Sequence, residues 1–383
     1  MSDNGNKENK KTEPNLSWDW GTAYDFFVSL QVIHRPSTFG LRAAWAAGMR
    51  SRLPATERET LEQFQKGKLL GTPLHWVYGL QEPKDGATVL KVLSEMAPGD
   101  RIGSMVLTPR LPEEFRAVIQ DVGEKGAWED SDLDVLMTMA KEHKGESVEP
   151  QAIAILLDWW IDREAAGERL LKALRAYYEV FFQEEENRIR PALQTGLEHA
   201  KELAGRLSVR GLLEELSQGV ILDETFEAPN LVLAPSYWGS PLLIVDMAAP
   251  DREIILFGAR PLEASLVPGE VVPDALLRGL KALSDSTRLR ILRHLSEEAL
   301  TPSQLSRRLR LRSSTVVHHL DALRLATLVQ LRIGEHGKDR RYAIRPEAVL
   351  SLLASLEIFL VPARTIETEA LPAEAEVSGT GGA

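Results

Sequence analysis

Leu300–Ile344 reads LTPSQLSRRLRLRSSTVVHHLDALRLATLVQLRIGEHGKDRRYAI, and this stretch decides the architecture of the C-terminal part of the chain. Thr301-Pro302 makes a helix start: the hydroxyl can cap the first N–H groups, and the fixed φ of proline suits the first helical position. That helix is expected to run through Leu305 to about Leu309. After a short turn, Ser313-Ser314-Thr315 opens a second helix whose inner side is Val316, Leu320 and Leu323. Two short helices joined this way are a helix-turn-helix. Leu328–Ile333 then alternates like a strand, Gly334-Glu335-His336-Gly337 turns it, and Arg340–Ile344 returns. The hairpin reads as a wing, with His336, Lys338, Arg340 and Arg341 at its tip and second strand, placed to lie along a phosphate backbone or reach a minor groove.

Upstream, Leu276, Leu277, Leu280 and Leu283 recur at helical spacing, and after Ser284-Asp285-Ser286 a second amphipathic helix carries Leu289, Ile291, Leu292 and Leu295. Downstream, Pro346–Leu360 is apolar nearly all round, through Val349, Leu350, Leu352, Leu353, Leu356, Ile358, Phe359 and Leu360. A terminal helix of that kind needs a second surface, and in a module this small the same helix of a second subunit is the natural cover. A dimer face of Leu276, Leu280, Val349, Leu353, Leu356 and Leu360 is therefore expected. Arg307, Arg308, Arg310 and Arg312, on the first helix and turn, suit salt-sensitive phosphate binding to double-stranded DNA.

The run LKALSDSTRLRILRHL, the helix-turn-helix and the hairpin ending in DRRYAI together resemble the ArsR-type winged-helix repressors. The resemblance covers residues 274–361 and implies that Ser313, Ser314, Thr315, Val317 and His318 face the major groove. Their hydroxyls, methyls and imidazole suit base edges and phosphates. The chain departs from the family pattern at three places. Arg310 and Arg312 stand where Gly and a Ser cap are usual, so the cap should pass to Ser313. Thr327 replaces a common Gly, which should reshape the turn before the wing, and Asp321 replaces a common basic residue. The family's metal sites are missing: Thr301 and Ser303 occupy the thiolate positions, and the terminal helix has no His. No metal and no cofactor are expected.

Charge is distributed unevenly over the 383 residues. The net charge is −11, yet residues 273–361 hold 15 Lys/Arg against 9 Asp/Glu, leaving 30 against 47 in the rest. The chain has no cysteine, which excludes a disulfide framework, a thiol nucleophile and a thiolate metal site. No apolar run approaches a membrane span, so a cytoplasmic protein is expected. No catalytic motif occurs: neither Gly-x-Ser-x-Gly, His-Glu-x-x-His, a Walker sequence nor a dinucleotide fingerprint is present.

Residues 16–265 read as a helical regulatory or sensor domain, punctuated at Pro36, Pro54, Pro73, Gly86, Pro98, Pro112 and Gly145. Asp162–Leu207 is either one kinked helix or two, the breaker being Pro191. At about 229–260 the pattern changes to short β runs, Leu231–Leu233, Leu242–Asp246 and Glu253–Phe257, which predict a three-stranded antiparallel meander. Residues 266–273 read as a linker, and 1–15 and 362–383 as a disordered head and tail. The predicted fold class is thus mainly α with small β elements. Trp45, Trp76, Trp159, Trp160, Tyr177, Tyr178, Phe181 and Phe182 read as core packing or the lining of an apolar pocket. Glu184-Glu185-Glu186 reads as a solvated helix face, His34-Arg35-Pro36-Ser37 as a helix-breaking loop or a basic pocket, and His318-His319 as too divergent to share an ion.

The expected function is a DNA-binding transcriptional regulator, a repressor that binds an operator as a homodimer. A small-molecule or protein effector would act at the N-terminal domain. Two alternatives stay open: a protein–protein module whose winged helix only dimerises, and an enzyme with a regulatory winged helix.

Overall fold

The computed structural model describes residues 13–66, 72–144, 149–222, 228–334 and 340–361, with 142–144 and 222 by their backbone alone. The chain begins with β1 Asn15–Trp18, then α1 Thr22–His34, α2 Pro36–Phe39, α3 Ala43–Ser51, α4 Ala55–Lys66 and α5 Leu74–Tyr78. Next come α6 Gly86–Glu95, α7 Pro98–Val106, α8 Glu113–Lys125, α9 Asp130–Lys144 and α10 Pro150–Ile161. An unbroken rod follows: α11 Arg163–Tyr177, a π-helical turn at Tyr178–Phe182, and α12 Gln183–Ala204. After α13 Val209–Leu216 lie β2 Val220–Leu222, β3 Asn230–Ser236, β4 Ile244–Ala249 and β5 Arg252–Gly258. The C-terminal elements are α14 Asp274–Leu283, α15 Ser286–Leu295, α16 Pro302–Leu309, α17 Ser313–Leu325, β6 Val329–Ile333, β7 Arg340–Ile344 and α18 Pro346–Leu360. The protein is mainly helical with small sheets, as the periodicity predicts. Asn15, read as the end of a disordered head, opens β1; residues 1–12, 362–383 and Gly145 lie outside the described residues.

The prolines act as helix starters. Pro36 and Pro98 occupy the first turns of α2 and α7, where a missing N–H costs nothing. Pro191, by contrast, is accommodated inside α12 without ending it. The irregularity in the rod sits earlier, at the π turn, which inserts one residue into the helical period. That shift has a local consequence. Glu185 and Glu186 turn inward and are only 3% and 5% exposed, and of the three glutamates read as a solvated face only Glu184 is exposed.

The antiparallel meander is corrected. The sheet has order β1-β3-β5-β4, with β1–β3 and β3–β5 parallel and only β4–β5 antiparallel. Both faces of its centre are buried. Val232, Ala234, Ile254 and Leu256 pack into the large helical core, while Leu231, Leu233, Ile255 and Phe257 pack on Ala200, Leu212 and Leu213 from α12 and α13. Strands buried on both faces carry continuous apolar runs, the mark of parallel pairing. Leu231-Val232-Leu233 and Ile254-Ile255-Leu256-Phe257 are such runs.

The aromatic residues of the N-terminal helices pack on one another. Phe26 lies 5.1 Å from both Phe27 and Phe182, Trp45 stacks on Trp238 at 6.3 Å, and Phe64 stacks on Trp159 at 6.0 Å. At the bottom of this core Asp25 is fully buried and accepts from Ser236 Oγ at 2.6 Å, Tyr237 N at 2.8 Å and Trp238 N at 3.0 Å. Burial nonetheless raises its carboxyl to about 6.

A separate core lies in the C-terminal part, formed by Leu276, Ile291, Leu295, Leu305, Val316, Leu320, Leu323 and Tyr342 among others. One strand crosses between the two parts of the chain. β2 pairs in parallel with β6, giving a second sheet of order β2-β6-β7. No helix among the described residues is long and apolar enough to cross a membrane.

Candidate nucleic-acid interface

The first helix of the motif is set by a reciprocal cap. Thr301 Oγ1 accepts from Gln304 N at 3.3 Å, while Gln304 Oε1 accepts from Thr301 N at 2.8 Å, and Pro302 stands at the first position. α16 ends at Arg310, which takes the left-handed conformation at φ 57°, where Gly is the usual residue. The turn is then closed by Ser306 Oγ donating to Leu311 O at 2.6 Å and Leu311 N donating to Ser306 O at 3.1 Å.

The cap of α17 does not fall on Ser313. Arg312 is the N-cap residue, extended at ψ 145° and without a side-chain bond to the helix, so Ser313 is the first helical residue. With the serine inside the first turn, Ser313, Ser314 and Thr315 are exposed at the helix start, whose first N–H groups lack intrahelical acceptors, a combination suited to anions. Val316, Leu320 and Leu323 face the core at 0% exposure. On the other side Ser313, Ser314, Thr315, Val317 and His318 are all exposed.

Around this face stand the basic residues. Arg307, Arg310 and Arg312 are exposed, and Arg308 is exposed but paired with Glu298 at 2.7 Å. On the wing, β6 and β7 pair antiparallel with Arg332 opposite Arg341 and Ile333 opposite Arg340, and both Arg340 and Arg341 are exposed. His336 and Lys338 lie outside the described residues. The base of the hairpin is held on both edges, by β2 along β6 and by a bridge in which Leu300 and Tyr342 exchange N–H···O bonds of 2.9 Å.

His318 and His319 have ring centroids 6.1 Å apart, and they diverge in environment as well. His319 faces Asp285, with Nδ1 4.0 Å from Oδ1, and burial lowers its pKa. Thr327 does adopt the left-handed backbone that its position demands, at φ 60°. A β-branched residue there stores about 1–2 kcal/mol of strain.

Of the dimer-face residues, Leu276 is corrected: at 3% exposure it is spent inside its own core. α14 and α18 pack closely beside it: a Cβ on Gly279 would meet Leu352 Cδ1 at 2.4 Å. Leu280, Val349 and Leu356 are partly buried against the same core. Leu353 and Leu360 are 50% and 65% exposed, and they continue into Leu350 at 67% and Ile358 at 72%. α18 thus carries an uncovered apolar row.

Sequence reasoning missed a set of arginines behind the reading face. Arg324, on α17, is 8% exposed and donates to Ser217 O at 2.8 Å and Gln218 O at 3.4 Å. Arg345 donates to Gln218 O at 2.6 Å and Thr327 O at 3.1 Å. These bonds tie the end of α13 to the winged helix. Their partners are backbone carbonyls, which no side-chain pattern reveals. Of the basic-pocket residues, His34 and Arg35 line a cavity of about 280 Å³ with Arg50, Glu62, Gln65 and Lys66.

The sequence profile of a helix-turn-helix domain family matches residues 283–332, from the end of α14 to β6. No curated protein and no solved structure matches the chain. The C-terminal part therefore carries a helix-turn-helix domain, the architecture of DNA-binding regulators.

Proposed function

We propose that the protein is an ArsR-type transcriptional repressor that binds an operator as a homodimer through residues 274–361. Residues 16–265 act as its sensor and 266–273 as the connection. The observation that carries this reading is the division of α17. Its buried side is Val316, Leu320 and Leu323 with Arg324 at the C-terminal end, and its exposed side presents Ser313, Ser314, Thr315, Val317 and His318 beside the exposed arginines of α16 and β7. Hydroxyls and an imidazole read base edges; Arg307, Arg310, Arg312, Arg340 and Arg341 hold phosphates. The wing tip with His336 and Lys338 belongs to the same contact. The repressor role follows from the family resemblance.

The exposed row Leu350, Leu353, Ile358 and Leu360 supports a two-fold dimer through α18, with Leu280, Val349 and Leu356 at its margin. Such a dimer sets two recognition helices about 34 Å apart, one turn of DNA. DNA as partner implies the compartment that holds DNA, the cytoplasm of a bacterial-type cell.

Nuclease protection of the DNA upstream of the protein's own coding sequence tests this. Two protected segments about 10 base pairs apart, centre to centre, are expected. Both should vanish in Ser314→Glu/His318→Glu, and Leu353→Lys/Leu360→Lys should yield a monomer with weakened protection. Uniform or no protection by a folded dimer contradicts the reading.

A further inference from the structure

We propose that the seam between the N-terminal helical region and the winged helix holds a binding site for a small oxyanion, a phosphate or carboxylate group, gripped between Arg260 and Arg278. The role assigned to it, an effector site, rests on the regulator reading above.

The site is a cavity of about 30 Å³, walled by Ser240, Pro241 and Arg260 on one side and Ala275, Arg278 and Thr327 on the other. That volume takes two or three water-sized bodies, which matches an oxyanion head.

Both guanidinium groups carry buried nitrogens without a hydrogen-bond partner among the described residues. The Arg260 side chain is 3% exposed; its Nη2 donates to Ser240 O at 2.9 Å, but its buried Nη1 has no hydrogen-bond acceptor among the described residues. The buried Nε and Nη1 of Arg278 have none either. Arg278 is fixed by packing, because its stem lies against Gly40: a Cβ there would meet Arg278 Cδ at 2.7 Å. The remaining charged neighbours do not fill the gap. Asp274 Oδ2 stands 3.9 Å from Arg260 Nη1 and already accepts from Leu266 N at 2.6 Å, while Oδ1 accepts from Ser265 Oγ at 3.1 Å. Arg188 adds positive charge but is paired with Glu185, and the Tyr237 ring faces Arg260 at 5.8 Å. One carboxylate thus serves two guanidinium groups.

Burial, then the neighbouring Arg278, lowers Arg260 to about 10, so it is still charged at neutral pH, and burial lowers Arg278 as well. Buried charge without a partner is strongly unfavourable, and planar N–H forks match oxyanions with two parallel bonds. Because the walls come from both parts of the chain, a bound anion favours the docked arrangement. Any coupling to DNA must then be reciprocal.

The test is calorimetric titration of the full-length protein with sodium phosphate and, separately, sodium acetate, at constant ionic strength. Saturable binding of at least one anion is expected, weakened tenfold or more in Arg278→Met, which keeps the packed stem. Phosphate binding without acetate binding assigns a phosphate group, the reverse a carboxylate. If Arg278→Met does not fold, thermal melting of the unaltered protein decides: the midpoint should rise by about 2–4 °C at an anion concentration tenfold above Kd, with chloride as control. Neither anion binding in the millimolar range, or binding retained in a folded Arg278→Met, overturns the site. Equal DNA affinity with and without the anion overturns the effector role. Anion binding by a protein that never binds DNA upholds the site and sinks the regulator reading instead.

Discussion

The N-terminal helices and the winged helix are held together by different chemistry. The first pack large rings around buried ionisable groups: Asp25 is 0% exposed, Glu185 3%, Glu186 5%, and His34 is pushed down to about 4 by burial. The second packs leucines, isoleucine and valines with, among the described residues, one buried aromatic ring, Tyr342, and keeps its reading-face charges outside. Protonation therefore acts most strongly on the stability of the first region, where the shifts of Asp25 and His34 are large, whereas dissolved salt acts on what the second binds. Where the two meet, charges of the winged helix are buried as well, at Arg278 and Arg324.

The largest effect should come from breaking one region and sparing the other. Leu320→Ala removes a fully buried side chain from the winged-helix core and should cost about 2–5 kcal/mol. Denaturant unfolding should then split into two transitions, with near-ultraviolet dichroism of the N-terminal aromatics lost only in the second. A single transition at the original midpoint would mean that the two cores are not distinct.

Next in size is a pair of opposed pH effects in the N-terminal region. Asp25 is raised from 3.8 to about 6, so its contribution is greatest at low pH and is lost as pH rises through about 6. His34 is lowered from 6.5 to about 4, so its contribution is present above 6.5 and is lost as pH falls through about 4. Each amounts to ~3 kcal/mol, and between pH 4 and 6.5 they nearly cancel. Asp25→Asn should therefore make acidification more destabilising, and His34→Gln should make it less so. Unfolding midpoints at several pH values check both; parallel curves for the three proteins would remove buried titration from the account.

A smaller effect belongs to the wing. Arg340→Ala/Arg341→Ala should weaken DNA binding about tenfold or more and reduce the salt slope by about two, with the pH dependence of unfolding unchanged. Smallest is the turn before it. Thr327→Gly relieves the φ of 60° and should raise stability by about 1 kcal/mol.

The elements of the winged helix are legible because their signals are local. Thr301-Pro302 with Gln304, the spacing of Val316, Leu320 and Leu323, and the alternation in the wing all act within a few residues of each other. What escaped is non-local or one residue out of phase. β1 pairs with β3 across more than 200 positions, and β2 joins β6 from the far side of the sheet region. The π turn at Tyr178–Phe182 moves Glu185 and Glu186 to the inside, which a strict helical period cannot foresee. The site residues divide in the same way. The α17 face follows from periodicity, whereas Arg260 and Arg278 gain meaning only once the chain brings them together.

Fluorescence anisotropy of the full-length protein tests the central claim most directly, with DNA from upstream of its own coding sequence against scrambled DNA at two salt concentrations. The account predicts tighter binding to the upstream DNA, falling steeply with salt on both sequences. Equal affinity for the two DNAs, or none for either, from a folded protein would contradict it.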